Sequence, residues 1–329
     1  MNRIIRIDAL GAAPRLAEAA TPKPGPGEVA VRLHAAALNF ADLLMIEGRY
    51  QDTPPFPFIA GFEGAGVVEA VGEGVDGTAQ LAPGTRVAVN AQGTFADRNV
   101  FPAASCLPIP DSMSFADAAG FQVAYGSSHL ALTGPGAIRA GQTVAVLGAG
   151  SGVGLTAVEI AAALGARVIA VARGADKLAA AREAGAAETL DSAAIPDLKA
   201  ALRARAGVDL VYDAVGDAAG LAAFGAIRPG GRHLLIGFAG GQPPALPLNH
   251  ALVKNISIHG FYWGGYRKLD PQAFRDSLSA LFGMYEAGRL HPVAGTTLPL
   301  DRAAEGYALL RDRKVVGKVI LTMGDGPEG

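Results

Sequence analysis

Short apolar runs that alternate with polar positions mark the first 120 residues of the chain. Residues 1–8 read as an edge strand, and 28–33, 66–71 and 85–89 as further strands. The turn sequences at 24–27, 72–74 and 83–84 separate them, which predicts a mostly-β lobe with few helices. The pattern then changes. Continuous apolar strands at 143–147, 167–172, 208–212, 232–236 and 256–261 alternate with Ala-rich helical stretches at 153–164 and 175–184. Gly185 stands at a C-cap position, and Pro229-Gly230-Gly231 forms a turn before the fourth of these strands. Such alternation implies right-handed βαβ units and a parallel sheet over residues 121–262. After Trp263 the period becomes helical, with Phe274, Leu278, Leu281, Phe282 and Tyr285 spaced along 271–287. A second helix at 303–311 and a closing strand at 317–321 follow. This tail is too short for an independent core, so 263–329 is expected to complete the 1–120 lobe. The fold class expected is α/β, a mostly-β lobe beside a doubly wound parallel sheet.

The strand at 143–147 runs into Gly148, Gly150, Gly152 and Gly154, and then into a helix. A turn this rich in glycine lets backbone bend sharply and approach a ligand. The unpaired first N–H groups of the helix, at its positive end, favour a pyrophosphate. Gly150, Ser151, Gly152 and Val153 are the expected contacts. The spacing is G-x-G-x-G-x-G rather than the strict G-x-G-x-x-G, so the context after the turn carries the argument. At the end of the second strand an NAD site places an acid for the ribose hydroxyls. Here Ala172 is followed by Arg173, with Lys177 one turn on. Cations there pair with a 2′-phosphate, so the expected cofactor is NADPH.

Composition narrows the class. With 28 basic and 30 acidic side chains, nothing favours nucleic acid or an anionic membrane surface. The longest apolar stretch, 153–172, is broken by Glu159, Gly165 and Arg167, so no membrane span is expected. Residues 1–8 lack a signal-peptide core, and a cytoplasmic enzyme is the expectation. One cysteine, Cys106, excludes an intrachain disulfide and reads as a small buried hydrophobe.

Three segments carry a resemblance that spans nearly the whole chain. They are Asn39-Phe40-Ala41-Asp42 with Gly48-Arg49-Tyr50, then Gly61-Phe62-Glu63-Gly64-Ala65-Gly66-Val67 with Val71-Gly72-Glu73-Gly74, and the glycine turn with Arg313-Lys314-Val315-Val316-Gly317-Lys318. The chain resembles the medium-chain dehydrogenase/reductase superfamily, in its zinc-free quinone oxidoreductase branch. The resemblance implies a GroES-like catalytic lobe, a Rossmann lobe, an active site in the cleft between them and a homodimer. It implies reduction of a small quinone or enone by NADPH. Enoyl-thioester reduction is the alternative within the class, and a non-catalytic NADPH-binding or crystallin-like role is the alternative outside it.

Departures from the zinc-dependent members are informative. Those members carry a catalytic Cys where this chain has Asn39, and His where it has Phe62, and they insert a four-Cys loop where this chain runs from Val89 directly to Asn90. A catalytic zinc needs about three protein ligands, so a metal-free enzyme is expected. Asn39 also reads locally as an N-cap with Asp42 in the first turn. Tyr50 is either a hydrogen-bond donor to substrate or a half-buried lid aromatic. Gln122, Phe238, Phe261 and Trp263 fall where the resemblance places residues near nicotinamide, and each reads equally as core. Lys318 is carried over as a cofactor contact, and Glu63 reads as structural. Ser192 stands where the branch often has a Tyr against the 2′-phosphate.

Overall fold

A computed structural model describes residues 2–75, 81–292 and 294–324. It divides into two compact units, one taking the chain up to Val123 and again from Pro292, the other Ala124–His291.

The first unit opens with β1 (Asn2–Ile7), β2 (Arg15–Ala19), β3 (Glu28–Leu38), α1 (Phe40–Ile46) and β4 (Phe58–Ile59). β5 (Gly64–Val71), β6 (Arg86–Val89), β7 (Arg98–Pro102) and β8 (Cys106–Pro108) follow, and α2 (Phe115–Thr133) contains the division point. The second unit holds β9 (Thr143–Leu147), α3 (Gly152–Ala163), β10 (Arg167–Ala172), α4 (Ala175–Glu183), β11 (Glu188–Asp191), α5 (Leu198–Arg203) and β12 (Val208–Asp213). It continues with α6 (Asp217–Gly225), β13 (Ile227–Leu235), α7 (Leu248–Lys254), β14 (Ser257–Gly260), α8 (Tyr266–Leu269) and α9 (Pro271–Glu286). The chain then returns to the first unit with β15 (Ala294–Pro299), α10 (Ala303–Arg311) and β16 (Lys318–Thr322).

In the first unit a sheet in the order β15-β16-β3-β5-β6-β8 forms, with β7 also on β3. Its alternating positions bury Val29, Val31, Leu33, Val87 and Val89 in one core, which β16 and α10 complete with Val319, Leu321 and Tyr307. Cys106 lies in this core, and burial pushes its thiol up to about 12, so it packs as a hydrophobe. The antiparallel register of β16 on β3 sets Val319 opposite Leu38. That register delivers Lys318 to Asn39, the residue just past the end of β3.

In the second unit six parallel strands run in the order β11-β10-β9-β12-β13-β14. Numbered from β9, this is the 3-2-1-4-5-6 order of a dinucleotide fold, with the reversal between β9 and β12. Every residue of β9 is buried, as expected for a strand covered on both faces.

One expected boundary is corrected. Residues 263–291 pack with the second unit, not the first. The Trp263 ring lies 4.7 Å from Phe274 of α9, His129 Nδ1 is 2.8 Å from Ser277 Oγ, and α9 buries Phe274, Leu278 and Leu281. The apolar stripe expected along 271–287 is the buried face of α9, but amphipathicity names that face and not the surface that covers it. Only the part from Pro292 onward completes the first unit. No helix among the described residues is long and apolar enough to cross a membrane.

Candidate functional site

The glycine turn is built as a phosphate cradle. Gly148 has φ of +74°, which turns the chain out of β9. A Cβ on Gly154 would sit 2.0 Å from the Gly148 carbonyl oxygen, so the start of α3 folds back on the turn only with glycine there. Ser151 is the N-cap, its Oγ accepting from Gly154 N–H at 3.2 Å and donating to the Gly148 carbonyl at 2.8 Å. Gly152 and Val153 then begin a twelve-residue helix with N–H groups that have no intrahelical acceptor. A Cβ on Gly150 would meet the Lys177 stem at 2.5 Å, so the lysine lies across the turn. Arg173 is exposed just beyond β10 and has no ion-pair partner among the described residues. The acid absent at Ala172 stands one strand over, at Asp191, which pairs in register with it. That carboxylate is turned into its own loop, where Oδ1 accepts from Ala193 N–H at 2.9 Å. Ser192 is exposed beside it.

A second loop meets the turn at the strand-order reversal. The Val215 side chain lies against Gly148, and Phe238, 42% exposed, packs on Gly216. Asp213, fully buried at the end of β12, holds this loop by accepting from Val215 N–H and Gly216 N–H at 3.0 and 2.7 Å. Its other oxygen is 3.0 Å from His233 Nε2 on β13. This pair was not anticipated from sequence, although Asp followed closely by Gly is a turn signal. Phe261 and Trp263 are both buried, Phe261 with its ring 5.2 Å from Tyr266 and Trp263 packed on Gly126 of α2. Both rings pack inside the second unit, and the buried Trp263 Nε1–H has no hydrogen-bond partner among the described residues.

The first unit gathers a different set. Asn39 is the N-cap of α1, and Asp42 returns to it, accepting from Asn39 N–H at 2.7 Å. The Asn39 side chain does other work. Its Nδ2 donates to Glu63 Oε1 at 2.7 Å, and its Oδ1 accepts from Lys318 Nζ at 2.6 Å. Lys318 also donates to Glu63, and Glu63 Oε2 accepts from Val123 N–H at 3.1 Å. Glu63 is 1% exposed and Lys318 9%. The lysine expected to face a cofactor is therefore committed inside the unit, and the glutamate read as structural is the centre of the network. Sequence offered little signal for this, because 255 residues separate the pair.

Gln122 is 2% exposed and its Nε2 has no hydrogen-bond partner among the described residues. A buried amide left unpaired costs about 1–3 kcal/mol, which a ligand carboxamide or hydroxyl would relieve. Tyr50 is half-buried in the loop after α1, its ring 6.5 Å from that of Phe62 and inclined by 23°. Among the described residues no three His, Cys, Asp or Glu side chains gather closely enough to hold a metal ion.

Burial pushes the Asp42 carboxyl up to about 7, opposed by the Asn39 and Gly61 amides and the Lys318 charge. An unfolded Asp titrates near ~3.9, so between these values the folded chain binds the proton more tightly. Stability from this group is full below about pH 4 and is lost as the pH rises through about 7. Asp42→Asn removes that loss. Its melting temperature should fall less than the wild type's between about pH 5 and about pH 8. Parallel profiles for the two proteins would contradict this.

Comparisons with known proteins agree with this construction. The alcohol dehydrogenase GroES-like domain matches residues 25–111, and the zinc-binding dehydrogenase domain matches 152–283. The quinone oxidoreductase-like protein 2 homolog of Nematostella vectensis is 34% identical over 92% of this chain and 83% of its own length. The quinone oxidoreductase of Thermus thermophilus, also solved as its complex with NADPH, superposes with a TM-score of 0.85 at 31% identity, over 98% of this chain and all of that one. A mycobacterial protein solved with NADPH gives 0.90 at 28% identity, over 98% of this chain and all of that one. The fold and these matches define an oxidoreductase of the two-domain, nicotinamide-dependent kind. The chain belongs to the medium-chain dehydrogenase/reductase superfamily, in its quinone oxidoreductase-like branch.

Proposed function

We propose that this protein is a metal-free, NADPH-dependent reductase of quinones or closely related conjugated carbonyls. The observation that carries the reading is the state of Asn39. It stands where zinc-dependent relatives place a thiolate ligand, and Glu63 and Lys318 already engage its amide. Phe62, in place of the imidazole, packs against the core of its unit. This donor set does not suit zinc, which takes thiolate, imidazole or carboxylate. Without a Lewis acid, the reaction favoured is one whose anionic product needs little help. A quinone that gains hydride becomes a hydroquinone anion stabilised by aromatisation.

The residues present fit the cofactor. The α3 N-terminus and its glycine turn would take the pyrophosphate, Arg173 and Lys177 the 2′-phosphate, and the unpaired Gln122 amide a polar group of the nicotinamide half. Bound NADPH supplies the hydride. Tyr50 would orient the acceptor and offer its phenol O–H to a carbonyl oxygen. That donor matters little for a quinone and more for an enone, whose enolate is more basic. Tyr50→Phe should slow quinone reduction by less than about ten-fold, and enone reduction by more, within the roughly 10²–10⁴-fold range of general-acid effects. A loss of about 10³-fold on quinones would show that Tyr50 is an obligatory acid and that the substrate argument is wrong.

The direct test is NADPH oxidation, with a strong chelator present, against quinones, enones and enoyl thioesters. Quinone turnover that survives chelation, with well below one zinc per chain by elemental analysis, is the expected result. Activity confined to enoyl thioesters would move the assignment to an enoyl reductase. Zinc whose removal abolishes turnover would refute the metal-free reading.

A further inference from the structure

We propose that Glu159 is a clasp, which fastens both connections between the two units to α3, the helix that follows the glycine turn. The chain leaves the first unit between Val123 and Ala124 and returns to it between His291 and Pro292. Glu159 is the one charged residue of α3, and it breaks an otherwise apolar run. Its side chain is only 12% exposed, a costly place for an acid unless both oxygens are met. Both are. Oε2 accepts from the Tyr125 phenol at 2.5 Å, just past the first crossing. Oε1 accepts from the His291 backbone N–H at 2.6 Å, at the last residue before the second crossing.

The same face of α3 holds each connection at a further point. Thr156 Oγ1 donates to the Ala124 carbonyl at 3.1 Å, and the Arg289 guanidinium donates to the Ala163 carbonyl at 2.7 Å. Thr156, Glu159 and Ala163 follow one another at three and four residues, so they line one stripe of the helix. Among these contacts only Glu159 reaches both connections. Its hold on the second is through backbone. The His291 imidazole is 79% exposed, with Nδ1 3.3 Å from the same oxygen, and such an exposed pair adds little. The helix and the two connections therefore move as one body, and hinge bending falls to residues before Ala124 and after His291. One consequence rests on the NADPH reading above. A pyrophosphate on the glycine turn holds the start of the same helix, so occupancy there is carried through Glu159 to both connections.

The test is hydrogen exchange of the full chain, resolved to the single amide of His291, with and without NADPH. Glu159→Ala removes a bond to a carboxylate and should speed that amide by about ten-fold or more. Tyr125→Phe touches only the first connection. It should still speed the His291 amide by about two-fold or more, because the carboxylate loses one of the two bonds that orient it. Made in Glu159→Ala, the same change should add nothing. Glu159→Gln should stay close to the wild type. Its carbonyl oxygen accepts from His291 N–H, and its amide donates to the phenol oxygen of Tyr125. NADPH should slow the His291 amide by about five-fold or more in the wild type and not in Glu159→Ala. Unchanged exchange in Glu159→Ala would overturn the clasp. So would a faster amide in Glu159→Ala with none in Tyr125→Phe, since the two contacts would then be independent. Glu159→Gln behaving as Glu159→Ala would make the contact an ion pair with the imidazole and overturn the backbone bond. NADPH that binds without slowing the amide would overturn the link to the glycine turn. NADPH that fails to bind would instead count against the NADPH reading, with the clasp decided by exchange of the free protein. If Glu159→Ala did not fold, Tyr125→Phe would still decide.

Discussion

Lys318→Ala is expected to lower the unfolding free energy by about 3–5 kcal/mol, the usual cost of leaving one member of a buried ion pair behind. The Lys318 and Glu63 side chains are 10% and 1% exposed, so water cannot replace the lost ammonium. Asn39 loses the donor on Oδ1 in the same step. The double variant Glu63→Gln/Lys318→Met should lose much less, because it removes both charges and keeps the volume. Lys314→Ala serves as a surface control. That lysine pairs with Asp312 at 2.9 Å, but its side chain is 67% exposed, and its removal should cost under about 1 kcal/mol. Urea denaturation of the three variants measures all of this. Equal losses for Lys318→Ala and Lys314→Ala would show that the buried pair does not hold its unit together.

The second large effect concerns the choice of cofactor. Arg173 and Lys177 flank the glycine turn, and each charge-assisted bond to a 2′-phosphate contributes about 1.5–3 kcal/mol. Removing both should reduce the preference for NADPH over NADH by about ten-fold or more in kcat/KM, through the loss of NADPH efficiency alone. The variant is best made as Arg173→Ala with Lys177→Met. The Lys177 stem lies over Gly150, and methionine keeps that packing while removing the charge. Equal efficiency of the two cofactors in the wild type, or an unchanged ratio in the variant, would contradict the assignment. The Asp191 carboxylate next to Ala172 is the feature that would then explain a site for NADH.

The parallel sheet was legible in sequence because fully buried strands such as β9 and β10 read as unbroken apolar runs between turn signals. The helix at 303–311 agrees with α10, whose apolar stripe is clear. The polar strand β11, Glu-Thr-Leu-Asp, carries no such run and was not anticipated. Nor was α2, where small and hydroxyl-bearing residues line a helix that is buried nearly all round and shows no stripe to mark it. The cofactor turn was legible because it is local, with strand, glycines and helix consecutive in the chain. The Asn39–Glu63–Lys318 network was not, because β16 returns to β3 across most of the chain. Local spacing to Asp42 made Asn39 a helix cap, and the family resemblance made Lys318 a cofactor contact. Sheet register made each the other's partner.

The most direct measurement of the central claim is steady-state oxidation of NADPH by a simple quinone, with NADH in parallel and a strong chelator in both. The account predicts chelator-resistant quinone reduction with NADPH favoured by about ten-fold or more. Oxidation of NADPH by no quinone, or turnover that disappears when a metal is withdrawn, would contradict it.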